Sequence, residues 1–181
     1  MTTYITEDEY TALQSRIETG DASVTIPRGV ARQFFTHVNN ASIKSITDTS
    51  MLMQKCLIWL AIAFSIMSLL VSAIFIIKSF GYWAAVAVPL TGIFWVLLAG
   101  LTYEEGSWMS LTAAFIASLV AIFFMAKVYS LPAFFFVLSV WVYRITYILA
   151  QTLLTGLVKE SYAAFDMLVE HIDIQESDSA N

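Results

Sequence analysis

The sequence predicts an all-α membrane protein, with four transmembrane helices and short amphipathic helices at both ends. Three observations carry this. Apolar residues make up 59% of the 181 residues, and the mean hydropathy is +0.74. Charged residues make up only 13%, against about 25% in ordinary soluble domains. The charge is also confined: residues 1–56 and 159–181 hold most of it, and the stretch between is almost free of it. Such a chain is written for lipid as its solvent in the middle and for water at its ends.

A helix needs about 20 apolar residues to cross a hydrocarbon core about 30 Å thick. Residues 57–77 meet that length and are flanked by Lys55 and Lys78, whose stems can snorkel to the headgroups. The run begins too late for a cleavable leader, so it is expected to act as the targeting signal and to stay in the protein. The second span is placed at 80–101, with Tyr82, Trp83 and Tyr103 as interfacial anchors and Pro89 expected to kink it. Only Ser79-Phe80-Gly81 separates these two spans, which predicts an antiparallel hairpin. Glu104, Glu105 and Gly106 break the apolar pattern. The third span follows at 108–126. The fourth is placed at 129–149, with Pro132 in its first turn, where a proline costs little. The apolar pattern runs on to Val158, too far for one crossing, so the remainder is expected to leave the bilayer as the same helix or after a bend. The predicted division is thus an N-terminal segment 1–56, a transmembrane domain 57–158 and a C-terminal helix and tail 159–181.

Four crossings put both termini on one side. Lys44, Lys55, Arg144 and Lys159 lie near that side, and Lys78 and Lys127 near the other. The positive-inside rule then favours cytoplasmic termini, in an integral, multi-pass protein most simply placed in a bacterial inner membrane.

The N-terminal segment opens with a predicted helix over 6–19. Thr6 and Glu9 have capping-box spacing, Tyr10, Leu13 and Ile17 share a face, and Gly20 suits the C-terminal cap. Residues 21–29 read as a loop. Val30, Phe34, Phe35 and Val38 then recur at helical spacing beside Arg28 and Arg32. Two readings stay open for that helix: it lies along the membrane surface, or it packs on its own segment. Near the C-terminus Tyr162, Phe165, Val169 and Ile172 form one stripe. Residues 176–181 read as a polar, disordered tail.

Several constellations are candidates for a working site. Ala113, Ala117 and Ala121 recur every four residues, the spacing at which helix backbones approach closely in lipid. Ser65, Ser68 and Ser72 stripe the first span, either as packing glue between helices or as the wet wall of a pore. Arg144 lies inside an apolar run; it either snorkels to the interface or is a functional charge at depth, with Glu104 or Glu105 as its ion-pair partner. Those two glutamates are otherwise a solvated loop, or an acidic ring on a cation path. Cys56 is a small residue at the membrane edge or an acylation site.

Other classes are disfavoured. The nine Lys and Arg are scattered and the net charge is −5, so no nucleic-acid partner is expected. His37 and His171 have no ligand-spaced companions, so no metal or other cofactor is expected. No phosphate loop, nucleophile elbow or HExxH occurs, and the span cores hold no Asp, Glu or His, which argues against an enzyme.

The segment Leu13-Gln14-Ser15-Arg16-Ile17-Glu18-Thr19-Gly20-Asp21, continuing to Ile26-Pro27, resembles the inner-membrane exclusion proteins of F-like conjugative plasmids. The shared pattern is a short helix, a Gly-Asp turn, an Ile-Pro step and then membrane spans, and it covers about fifteen residues. The resemblance implies a protein that stops a plasmid-bearing cell from receiving the plasmid again, by recognising the incoming transfer apparatus. The expected partners are the lipid bilayer and a membrane protein, or further copies of the chain. A subunit of an oligomeric ion channel and an immunity protein against a pore-forming toxin are the alternatives.

Overall fold

The computed structural model describes residues 6–36, 49–100 and 108–176. In chain order the elements are α1 (Glu7–Thr19), β1 (Ala22–Thr25), α2 (Arg28–Phe34), α3 (Thr49–Phe80), a 3-10 turn (Tyr82–Val86), α4 (Ala87–Gly100), α5 (Trp108–Phe124), α6 (Lys127–Glu160), α7 (Tyr162–Leu168), a 3-10 turn (Val169–His171) and β2 (Asp173–Glu176). The fold is mostly helical. It divides into two compact units, and both divisions fall inside long helices, α3 and α6. A terminal unit takes the chain up to Leu57 and from Tyr147 onward, and a central unit takes Ile58–Thr146.

The terminal unit starts from local signals. Thr6 Oγ1 accepts from the Glu9 N–H at 3.4 Å, and the Glu9 carboxylate accepts from the Thr6 N–H at 2.7 Å, the reciprocal box that satisfies two free donors of a helix start. The Thr6 N–H and, less strongly, the Thr6 hydroxyl donate to the Glu9 carboxylate and hold it below its ordinary range. At the other end Gly20 has φ +84°, and the Asp21 N–H reaches back to the Arg16 carbonyl at 2.9 Å. Only glycine enters that left-handed region without a steric cost.

The buried face of α1 holds Tyr10 and Leu13. Tyr10 donates its hydroxyl to the Val158 carbonyl at 2.9 Å, and Gln14 Nε2 donates to the Lys159 carbonyl at 3.0 Å. Both acceptors belong to the last turn of α6, where carbonyls have no N–H four residues ahead within the helix. Side chains of the first helix therefore cap the end of the longest one. The Tyr10 ring packs 5.5 Å from Tyr162 and 5.1 Å from Phe165. Burial, with the charge of Glu160 as a smaller cause, pushes its phenol pKa up.

Of the two readings for α2, the structure shows packing on protein. Ala31 and Phe35 are fully buried. Arg28 Nε donates to Gln151 Oε1 at 3.1 Å, Gln151 Nε2 donates to the Ile26 carbonyl at 2.8 Å, and the Arg32 guanidinium lies 4.8 Å over the Phe35 ring. Val38 and His37 lie outside the described residues.

Two expectations are corrected here. Residues 21–29 are not all loop: Ala22–Thr25 forms β1, which pairs antiparallel with β2, in the register Ala22↔Glu176 and Val24↔Ile174. The stripe from Tyr162 to Ile172 is not one helix. Helix α7 ends at Leu168, a 3-10 turn follows, and Ile172 is extended. The pairing with β1 gives residues 173–176 backbone partners that a continued helix would forgo. Residues 177–181 lie outside the described residues.

The core of this unit holds Val24, Ile26, Phe35, Leu153, Leu154, Leu157, Val158, Phe165 and Leu168, all 2% exposed or less. This explains the overlong apolar run of the sequence. Residues 147–158, placed above with the transmembrane domain, cluster with the termini because their leucines fill a protein core.

The central unit has the opposite surface. Helices α3 and α6 are long and apolar enough to cross a membrane. On α3 the exposed residues include Trp59, Leu60, Phe64, Met67 and Leu70, while Ser65, Ser68 and Ser72 are buried. Helices α4 and α5 have 14 and 17 residues, or about 21 and 25 Å at about 1.5 Å per residue, short of a full hydrocarbon core. The predicted span 80–101 is broken: α3 runs to Phe80, Gly81 turns the chain with φ +76°, and a 3-10 turn precedes α4. Pro89 does not kink α4. It is the third residue, in the first turn, where the missing N–H costs no internal bond. Pro132, expected in a first turn, is instead the sixth residue of α6 and lies inside the helix. Helices α5 and α6 are joined by Met125 and Ala126 alone.

Candidate functional site

The residues singled out in the sequence collect into one place only in part. The best-defined polar arrangement is a seam inside the central unit where α3 and α4 meet α6. Ser65 and Ser139 clasp each other: Ser65 Oγ donates to the Ser139 carbonyl at 2.8 Å, and Ser139 Oγ donates to the Ser65 carbonyl at 2.8 Å. Trp95 of α4 donates its indole N–H to Ser139 Oγ at 2.8 Å. Two turns along α3, Ser72 Oγ donates to the Pro132 carbonyl at 2.8 Å. Both ends of the clasp are completely buried.

Ser65 and Ser72 of the stripe are therefore bonded across helices, and Ser68 is buried on the same helix. A hydroxyl is small, so two backbones can approach, and each bond satisfies a donor that hydrocarbon could not. Ring contacts flank the seam: Trp95 meets Tyr143 edge-on at 4.8 Å, and Phe75 stacks on Phe135 at 5.7 Å. Helix α5 joins through Phe115, stacked 4.9 Å from Trp141.

Arg144 is 5% exposed. Its side chain is therefore buried against protein. Glu104 and Glu105, its expected ion-pair partners, lie outside the described residues. On α5, Ala113 and Ala117 are exposed and Ala121 is half-buried; the buried small residue of that helix is Ser118, bonded to its own Phe115 carbonyl. The alanine row is thus largely unoccupied by the described part of this chain. Cys56 is exposed. Among the described residues no three His, Cys, Asp or Glu come together to hold a metal ion.

Ser139 and Trp95 were not singled out in the sequence. A signal was present. An indole N–H in mid-helix among apolar residues needs an acceptor, and Ser139 is a lone hydroxyl in the middle of Val137 to Val142. What one chain of letters lacks is the pairing between them.

No family model, curated protein or solved structure matches this chain significantly.

Proposed function

We propose that this is a multi-pass membrane interaction protein that modulates another membrane machine, in the manner of an exclusion factor in conjugation. The observation that carries the reading is the inverted surface of the central unit. Large apolar side chains point outward there, while serines, a threonine and an arginine are turned inward. In water that arrangement would expose hundreds of Å² of contiguous apolar surface, which soluble monomers rarely do; in a bilayer it is what the solvent requires.

In this reading α3 and α6 each cross once. Helix α5 crosses with help from its flanks, and α4 crosses together with its 3-10 turn, whose five residues add about 10 Å at about 2 Å each. Both termini are cytoplasmic, in a bacterial inner membrane. The terminal unit is the part that meets the partner in water: it is compact, bears most of the chain's acidic residues, and shows no constellation for chemistry among its described residues. A pore finds less support, because two of the three serines that would wet it, Ser65 and Ser72, are spent on bonds to Ser139 and Pro132.

The test is crosslinking of the full chain in mild detergent extracts, with mass spectrometry of what co-purifies. A stoichiometric foreign membrane protein, crosslinked through residues of the terminal unit, is the expected result. A symmetric homo-oligomer with nothing else bound, conducting ions in liposomes, would overturn the interaction reading in favour of a channel.

A further inference from the structure

We propose that the outer edge of β2 docks an extended segment of a partner protein, one that alternates apolar and basic side chains and adds to the sheet as a third strand. This rests on the interaction reading above, and it places the contact at one strand of the terminal unit.

The backbone sets the shape of the occupant. β1 and β2 form a two-stranded sheet in unbroken antiparallel register, from Ala22↔Glu176 to Thr25↔Asp173. In such a pair every second residue turns its N–H and carbonyl away from the neighbouring strand. Among the described residues no strand takes up the groups that β2 turns outward. β2 also carries no lysine, proline or bulge, the usual devices that blunt an edge. An open strand edge fits an extended chain.

The side chains set its pattern. Residues opposite each other in a pair share a face of the sheet. Ala22 and Val24 face the core, while Ser23 and Thr25 face out. Ile174 lies opposite Val24 and so belongs to the core face, yet it is 41% exposed where Val24 is 2% exposed. The apolar row therefore stops at the edge of β2 with one side of Ile174 uncovered. An apolar side chain on a further strand would complete it. Asp173 and Gln175 stand on the other face, and both are exposed.

The charge selects the partner. Asp173 is on the strand itself, and residues 160–172 leading to it carry Glu160, Asp166 and Glu170 without a Lys or Arg. A strand with a basic residue opposite Asp173 gains a cross-strand pair. A second copy of the chain would instead bring its own Asp173 and Glu170 to the same edge, acid against acid. The two requirements, apolar toward the core and basic toward water, fall on alternate residues of one strand.

The experiment measures binding of short synthetic peptides to the full chain in a neutral detergent, by fluorescence anisotropy, with hydrogen exchange to locate them. One peptide alternates valine and lysine, and a second alternates valine and glutamate. Two more repeat the valine-lysine peptide with the backbone N-methylated at every valine or at every lysine. The lysine peptide should bind about tenfold more tightly than the glutamate peptide and slow exchange at residues 173–176. One methylated peptide should lose about tenfold because its donors to β2 are gone, and the other should bind like the parent because its methyl groups point away. In Asp173→Lys the preference for lysine should fall about fivefold, and an unchanged preference there overturns the charge assignment. Absent binding, equal affinity of the two methylated peptides, or protection confined to other residues overturns the docking site, and the wild type decides this even if the variant fails to fold. Protection of 173–176 that grows with protein concentration and needs no peptide assigns the edge to a second copy and overturns the basic occupant. A foreign protein crosslinked elsewhere on the terminal unit keeps the interaction reading while the edge falls. A conducting homo-oligomer with nothing else bound removes that reading, and the partner segment with it.

Discussion

Tyr10 and Gln14 show how much a single side chain can settle when it ends a helix other than its own. Each donates to a last-turn carbonyl of α6 that the helix cannot satisfy internally. Tyr10→Phe keeps the buried ring and removes only the donor, so it should destabilise the terminal unit by about 1 kcal/mol, read from denaturant melts of the detergent-purified protein followed by circular dichroism. An unchanged midpoint would mean the carbonyl finds water instead. Glu9 gives a prediction in pH. Its folded pKa lies below the ordinary value because the Thr6 N–H and hydroxyl bond its charged form. The stabilisation is therefore full above the unfolded carboxylate pKa of about 4.3, and it is lost as pH falls through the folded value. Comparing wild type with Glu9→Gln, the advantage of the wild type should be present at neutral pH and shrink in acid; a constant difference across the range would show that the charge plays no part. The cap was legible in the sequence because Thr6 and Glu9 are three residues apart. The Tyr10 bond was not, because its partner lies 148 residues away.

Among the elements, legibility followed the strength of the local pattern. Long apolar helices declare themselves: α3 contains the predicted 57–77 and α6 the predicted 129–149, while α3 starts earlier, at Thr49, and α6 ends later, at Glu160. The two strands do not: each has four residues, too few for a pattern, and they exist because they pair across most of the chain. Pro89 was legible as a disturbance but not as a helix start, since a proline marks a boundary without saying which side of it the helix lies on. The serine stripe left two readings open, packing glue and the wet wall of a pore; the bonds of Ser65 to Ser139 and of Ser72 to Pro132 support the first. Replacing Ser139 by Ala removes one interhelical bond outright and takes away the acceptor of the Trp95 N–H. Interhelical bonds in bilayers average about 0.6 kcal/mol with a maximum near 1.7, so the loss should be about 1–2 kcal/mol, measured by unfolding in mixed detergent. Trp95→Phe in the same background should then cost less than it does in the wild type, because its bond is already gone. Equal costs in the two backgrounds would show that the three residues do not act as a unit.

For the whole molecule, the division into two units carries a consequence for what can be removed. The terminal unit is sewn from both ends of the chain. Val24, Ile26 and Phe35 from the N-terminal side, Phe165 and Leu168 from the C-terminal side and the leucines of α6 are all buried in this one unit. Hydropathy could not reveal this, because a leucine facing a protein core and a leucine facing lipid are the same letter: the length of the run to Val158 says that its end leaves the bilayer, not what its leucines pack against. Deleting residues 161–181 strips β2 from β1 and uncovers Leu153, Leu157 and Val24, so residues 6–36 should lose their protection and be cut by trypsin at Arg16, Arg28 and Arg32. The central unit has its own contacts, the serine clasp and the aromatic pairs between α3, α4, α5 and α6, none of which uses the deleted residues. It should stay helical and detergent-bound, and a protease-resistant fragment spanning α3 to the first half of α6 should persist. Limited proteolysis with mass spectrometry separates the cases: an N-terminal segment that remains protected after the deletion would mean it folds without the C-terminal strand, and collapse of both units together would mean that the seam inside the central unit is too weak to hold its helices alone.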